Sequence, residues 1–166
     1  MSSTDALIVG AGPVGLTAAI ELRRRGVECR VVDRLTTPMP YAKAVGVQPR
    51  TLELWESAGV LRRALDAAVP MRGQIVYVDG QQVSRSELAL PPEVPYGFIA
   101  LPQYETERVL SERLAELGGR VERGVELVQL RPGCRGRHRG AARAGRAVPG
   151  ARRVPGRLRR RAQRRP

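Results

Sequence analysis

The sequence predicts the α/β class with parallel strands, and three observations lead there. A short apolar run, Ala6–Val9, ends at a glycine-rich turn. Residues 13–25 then change to helical spacing, and residues 27–33 return to a second apolar run. A strand, helix, strand unit of this kind lays its two strands side by side and parallel.

The turn between the first strand and the helix reads Gly10-Ala11-Gly12-Pro13-Val14-Gly15, a G-x-G-x-x-G pattern. Its context gives the pattern its meaning: it follows a strand, opens a helix, and precedes Asp33 at the end of the second strand. Gly10 permits a tight turn, Gly12 lets backbone approach a pyrophosphate, and Gly15 lets the helix pack closely on the strands. The first amides of the helix then face the phosphates. Asp33 is suited to accept hydrogen bonds from ribose hydroxyls, which also disfavours a 2′-phosphate there. This predicts a Rossmann-like site for the ADP half of a dinucleotide, and spacing alone leaves FAD and NAD both open.

The remaining elements follow in order. In the first helix, Val14, Ala18 and Leu22 repeat every four residues as the apolar side, and Gly26 stops it. Residues 36–47 contain Pro38 and Pro40 and read as a long loop. Pro49 opens a helix to about Ser57, with Leu52 and Trp55 on its apolar side. Gly59 separates it from a short helix ending at Leu65. Residues 74–79 and 81–86 flank Asp79-Gly80 and predict a hairpin. Pro91, Pro92 and Pro95 exclude regular structure across 91–95. Residues 98–101 read as a strand, 103–117 as a helix with Thr106, Val109, Leu110, Leu114 and Leu117 on one side, and 121–130 as a strand. Three or more parallel strands are expected, yet a complete doubly wound domain needs more patterned chain than this.

Charge divides the chain in two. All 16 acidic residues lie in residues 1–130, against 15 of the 29 Lys and Arg, so the formal charge of +13 belongs to residues 131–166. A basic surface covering the whole molecule is thereby excluded. Cys29, inside an apolar run, is expected to be a buried free thiol, and the two cysteines form no disulfide framework. No metal-ligand pattern, signal peptide or membrane-length apolar run is present in the sequence, and a cytoplasmic setting is expected.

Three blocks give a specific resemblance: residues 5–16 around the glycine pattern, Gly46-Val47-Gln48-Pro49-Arg50-Thr51-Leu52-Glu53, and Leu101-Pro102-Gln103-Tyr104-Glu105-Thr106-Glu107. In order and separation they resemble the flavin-dependent aromatic hydroxylases, the family of para-hydroxybenzoate and phenol hydroxylases and of polyketide-tailoring hydroxylases in antibiotic biosynthesis. The resemblance covers about residues 4–130. It implies an incomplete Rossmann-like FAD-binding domain over 1–130, with residues 74–100 beginning a β-rich substrate-domain insertion. It also implies a monooxygenase using FAD, NADPH or NADH, molecular oxygen and an aromatic or polyketide substrate. Gly10, Gly12, Pro13, Gly15 and Asp33 match the ADP-binding positions and Arg34 a position near the adenosine. Arg50 matches an arginine near the cofactor, and Gln103 a glutamine that contacts the flavin or its ribityl chain. Arg50 could instead only pair within its helix, and Gln103 only begin one. Glu107 reads as a solvated or capping carboxylate, Trp55 as packing, and no residue is assigned as catalytic acid, base or nucleophile.

Residues 131–166 hold 14 Arg, 6 Gly, 6 Ala and 4 Pro, and no acidic residue. Without apolar periodicity and with charges of one sign, disorder is expected. A nucleic-acid-binding arm is one reading, although the aromatics such arms interleave are missing. A lost reading frame is the better one. Val154–Gln163 can be encoded so that a one-nucleotide shift reads Tyr-Leu-Val-Gly-Cys-Asp-Gly-Ala-His-Ser, which resembles the Asp-Gly motif expected next in this family. On that reading the chain is a truncated, inactive hydroxylase. An NAD-dependent dehydrogenase-like fragment and a noncatalytic basic-tailed binder are the alternatives.

Overall fold

The computed structural model describes residues 4–128 and the backbone of residues 138–141 and 155–158. The chain divides into two compact units, residues 1–39 with 110–166, and residues 40–109.

The first unit is built on a parallel sheet. Strand β1 (Ala6–Val9) leads through helix α1 (Pro13–Arg23) to β2 (Cys29–Asp33), which pairs parallel with β1. The second unit holds short strand β3 (Gly46–Val47), helices α2 (Pro49–Ala58) and α3 (Leu61–Asp66), strands β4 (Val69–Pro70), β5 (Gly73–Val78), β6 (Gln81–Glu87) and β7 (Ile99–Ala100), and the first turns of helix α4 (Gln103–Glu116). The chain returns as β8 (Val121–Arg123), parallel to β2, giving the order β1-β2-β8. Strands β9 (His138–Ala141) and β10 (Pro155–Leu158) pair antiparallel. Apart from these two strands, the expectations for residues 131–166 lie outside the described residues.

In the first unit Leu7, Val32 and Val125 form a buried cluster with Leu127 against it. Strand β2 is buried at Cys29, Val31 and Val32, as expected of a middle strand covered on both faces. The Cys29 thiol is buried and free.

Helix α1 departs from its expected orientation. Leu16, Ala19 and Ile20 are buried, whereas Val14 and Ala18 are exposed. The cause is Gly15: a Cβ there would lie 2.0 Å from the Gly10 carbonyl oxygen and 3.3 Å from Ile8 Cγ2. The helix is therefore turned with its smallest residue against the turn. Leu16, Ala19 and Ile20, on the face adjoining Gly15, go inward with it. Val14, two residues before Leu16, is left on the opposite side.

Helix ends follow their sequence signals more closely. Pro13 and Pro49 stand in the first turns of α1 and α2, where a missing N–H costs nothing. Gly59 ends α2 in the left-handed conformation with φ 73°, and its N–H and that of Val60 bond back to Glu56 and Trp55. Leu52, Trp55 and Ala58 are buried, so Trp55 packs as its spacing predicts. Helix α1 ends at Arg23, two residues short of the expected end.

Strand β8 is shorter than expected. Residues 121–130 read as one continuous strand, but β8 stops at Arg123, where Gly124 takes φ 69°. The chain turns there, with the Gly124 N–H bonded to the Leu35 carbonyl and the Val125 N–H to that of Asp33. Apolar alternation continues across this break because Val125 and Leu127 still face the core, so the sequence carries no sign of it.

Candidate functional site

The end of β1 and the start of α1 form a turn that β2 holds from the side. The Gly10 N–H bonds to the Val32 carbonyl at 2.8 Å, extending the ladder by one residue into the turn. Gly10 has φ 102°, a conformation that a side chain disfavours. Gly12 is extended at the cap of α1, with no side chain bonded to the free amides of the first turn. Such amides lack intrahelical acceptors and concentrate positive potential, which fits them to an anion.

Asp33 does more here than its position at the strand end predicts. Its Oδ2 accepts the Ala11 N–H at 2.7 Å, and its Oδ1 accepts the Leu35 N–H at 2.8 Å. One carboxylate thus ties the glycine turn to the loop after β2. A carboxylate has about four lone-pair directions, so each oxygen keeps capacity for a ligand hydroxyl. The parallel β1–β2 register, which sets Val9 opposite Val32, puts Asp33 beside the turn; from the sequence alone that register was the missing piece.

A cavity of about 370 Å³ opens at this end of the sheet, lined by Val9, Gly10, Asp33, Arg34, Val125 and Leu127 among others. It combines apolar walls with one carboxylate acceptor and an exposed arginine. The residues present fit the ADP portion of a dinucleotide: a turn free of side chains, unpaired amides, an acceptor for hydroxyls, and apolar walls for a base. Gly10, Gly12, Pro13, Gly15, Asp33 and Arg34 are thus brought together in the first unit.

A larger cavity, about 580 Å³, lies where β1, β2 and β8 begin, bordered by Arg23, Glu28, Arg30 and Glu122. Volume favours it, but its charges are largely spent on one another. Arg30 forms a two-pronged bond to Glu122 at 2.8 and 2.7 Å. Arg23 bonds Glu28 and the Cys29 carbonyl. The Arg30 guanidinium holds the Glu122 carboxyl below the ordinary carboxylate range, against the upward push of burial. The cavity of the glycine turn is therefore the better ligand site, despite its size.

The other two sequence candidates belong to the second unit. Arg50, on α2, has a side chain 74% exposed and paired with Glu53 one turn along. Gln103 begins α4, and its Nε2 donates to Glu107 Oε1 at 2.9 Å. Glu107, expected to be a solvated or capping carboxylate, is not solvated: it is only 7% exposed, because α4 turns Thr106, Glu107, Val109 and Leu110 inward together. Among the described residues, no His, Cys, Asp and Glu cluster could hold a metal ion, and no helix is long and apolar enough to cross a membrane.

Comparison with known proteins agrees with this arrangement. A family described as FAD binding domain matches residues 3–141. The chain is 42% identical over 129 residues to a 6-methylpretetramide 4-monooxygenase of Streptomyces rimosus, covering 76% of this chain and 23% of that protein. With pentachlorophenol 4-monooxygenase of Sphingobium chlorophenolicum it shares 37% over 133 residues, 77% of this chain and 24% of that protein. Aklavinone-11 hydroxylase, solved with FAD and aklavinone, superposes with a TM-score of 0.78 at 26% identity, covering 95% of this chain and 32% of that one. The flavin-dependent monooxygenase PieE, solved with FAD and substrate, gives 0.74 at 28%, covering 94% and 28%. The chain thus spans about a quarter of the length of the curated relatives it matches. A side-chain-free turn, the Asp33 tether and a match over most of the sequence lead to one conclusion: the chain belongs to the FAD-binding domain family.

Proposed function

We propose that this chain is the FAD-binding portion of an NAD(P)H-using monooxygenase that hydroxylates an aromatic or polyketide substrate. The observation that carries the reading is the Asp33 carboxylate, which braces the glycine turn while keeping free lone pairs toward the adjoining cavity. In this role Gly10, Gly12, Pro13 and Gly15 leave backbone open to the pyrophosphate, Asp33 accepts the ribose hydroxyls, and Arg34 lies along the adenosine. Arg50 and Gln103 serve the flavin half, with Arg50 released from Glu53 to do so. When bound, FAD supplies the redox chemistry by which oxygen is activated, and the protein orients its reactants and limits water.

Titration of the purified chain with FAD, followed by quenching of flavin fluorescence and competed by ADP, tests this. Saturable binding that Asp33→Ala abolishes is the expected outcome; absence of saturable FAD or ADP binding overturns the reading. NAD binding in place of FAD would instead favour the dehydrogenase-like alternative.

A second reading concerns residues 131–166, whose coding sequence in a shifted frame permits the Gly-Cys-Asp-Gly-x-x-Ser motif. We propose that the frame changes near Arg131 and that restoring it yields the longer enzyme. Sequencing codons 125–166 tests this, and a clean read without a family motif in either other frame refutes it. The frame-restored protein is expected to oxidise NADPH faster when an aromatic substrate is added. Salt-sensitive nucleic-acid binding that disappears on deletion of 131–166 would favour a basic arm instead.

A further inference from the structure

We infer that Glu107 is a positioning residue that fixes the Gln103 side chain with its amide oxygen outward, so that Gln103 meets the flavin half of the cofactor as a hydrogen-bond acceptor. The inference rests on the FAD reading above and adds the direction of one contact.

Burial of the Glu107 carboxylate carries a cost. A carboxylate nine-tenths withdrawn from water needs a donor. Among the described residues its hydrogen-bond partner is Gln103, one helical turn earlier, with Nε2 at 2.9 Å from Oε1. Residues four apart on a helix share a face, so the pairing needs no distortion of α4. A carboxylate only accepts hydrogen bonds, whereas an amide has one donating and one accepting end. The donating end of Gln103 is therefore committed to Glu107, and the accepting end is what it can offer elsewhere. Gln103 is half-buried, so the amide oxygen remains open to a ligand. An acceptor selects an O–H or N–H, such as a ribityl hydroxyl or a ring N–H, and rejects a flavin carbonyl.

Neighbouring side chains do not supply the same constraint. Glu105 is committed to Arg108, and Thr106 is buried on the inward face. Without the Glu107 carboxylate, the Gln103 amide could rotate by half a turn and present its donor instead. The inference therefore concerns orientation rather than helix stability, and the two have separate readouts.

The full 166-residue chain and two variants are titrated with FAD and, separately, with ADP, which lacks the ribityl chain and ring. Glu107→Gln keeps the size of the side chain but accepts either end of the Gln103 amide. Gln103→Lys keeps a donor for Glu107 and removes the outward acceptor, so it remains a fair test even if Glu107→Gln fails to fold. Gln103→Lys is expected to bind FAD about five- to tenfold more weakly, as loss of one hydrogen bond implies, and Glu107→Gln up to about twofold more weakly, because its Gln103 amide divides between two orientations of which one still offers the acceptor, with ADP binding unchanged in both. The double variant is expected to lose little more than the stronger single, because both changes remove one contact.

Unchanged FAD affinity in Gln103→Lys overturns the inference and leaves the FAD reading intact. So does equal weakening of FAD and ADP, which marks a structural role. If the unaltered chain binds FAD no more tightly than ADP, the flavin half makes no contact, and the inference again fails alone. If it binds neither, the FAD reading fails and takes the inference with it.

Discussion

The glycine turn after β1 and the Asp79-Gly80 turn between β5 and β6 are both short, glycine-bearing links at strand ends, but different forces hold them. In the hairpin, Asp79 at φ 48° and Gly80 at φ 78° are enough to reverse the chain, and the two residues match the right-handed twist of the strands they join. Its strands are exposed almost throughout, with Tyr77 60% and Val83 58% exposed. At the other turn, Gly15 is pressed to the Gly10 carbonyl and Asp33 bonds across from β2. The first is a local structure that needs little beyond its own sequence; the second exists only when three separate elements meet. Turns of the second kind are suited to ligand binding, because the same contacts that build them fix their amides in space.

Adding one methyl group to each turn separates the two most clearly. Gly15→Ala places a Cβ 2.0 Å from a backbone oxygen, which has no side-chain rotation to escape. It is expected to destabilise the first unit by about 3 kcal/mol or more and to abolish FAD binding, as read by denaturant unfolding and flavin fluorescence. Asp33→Asn comes next. One of its two backbone N–H groups then faces an amide NH2 in place of an oxygen, for a cost of about 1–3 kcal/mol and weaker FAD binding. A Gly15→Ala chain as stable as the parent would show that the turn is not held by close packing.

Gly80→Ala is expected to cost less, about 1 kcal/mol, because the added Cβ meets nothing within 4 Å and only the positive φ resists it. Its effect should be confined to faster amide hydrogen exchange in residues 73–87, while exchange in β1 and β2 is unaltered. Slowed exchange in β1 or β2, or a cost equal to that of Gly15→Ala, would remove the distinction between the turns.

The same distinction explains what was legible in the sequence. Local signals read correctly: Pro49 and Gly59 bound α2, Asp79-Gly80 reverses the hairpin, and Leu52 and Trp55 are buried. Features set by distant packing did not. A four-residue repeat chose Val14, Ala18 and Leu22 as the inner face of α1, but the contact of Gly15 with the turn decided otherwise. Glu107 read as solvated or capping because a polar residue at that spacing usually is; its burial depends on how α4 packs, and its partner Gln103 was singled out for another reason. The glycine pattern and Asp33 were legible as a candidate site, whereas the bond between them required the β1–β2 register.

The smallest expected effect concerns the tie between β2 and β8, where Arg30 and Glu122 meet across the sheet though 92 residues apart in sequence. Hydrogen bonding to Arg30 lowers the Glu122 pKa in the folded state below the ordinary carboxylate range, and burial opposes this only in part. A lowered folded-state pKa means that the unfolded chain takes up the proton first as pH falls. The pair therefore stabilises the fold fully above the unfolded carboxylate's pKa, and that contribution is lost as pH drops through the lower folded value. Both side chains keep about a third of their surface in water, so the gain is at most about 1 kcal/mol. Glu122→Gln should remove this part of the acid dependence, which urea unfolding at pH 7 and pH 4 can read as a smaller difference between the two pH values than in the parent chain. An undiminished difference would assign the acid sensitivity to other carboxylates and leave the three-stranded sheet held by its ladder and apolar core alone.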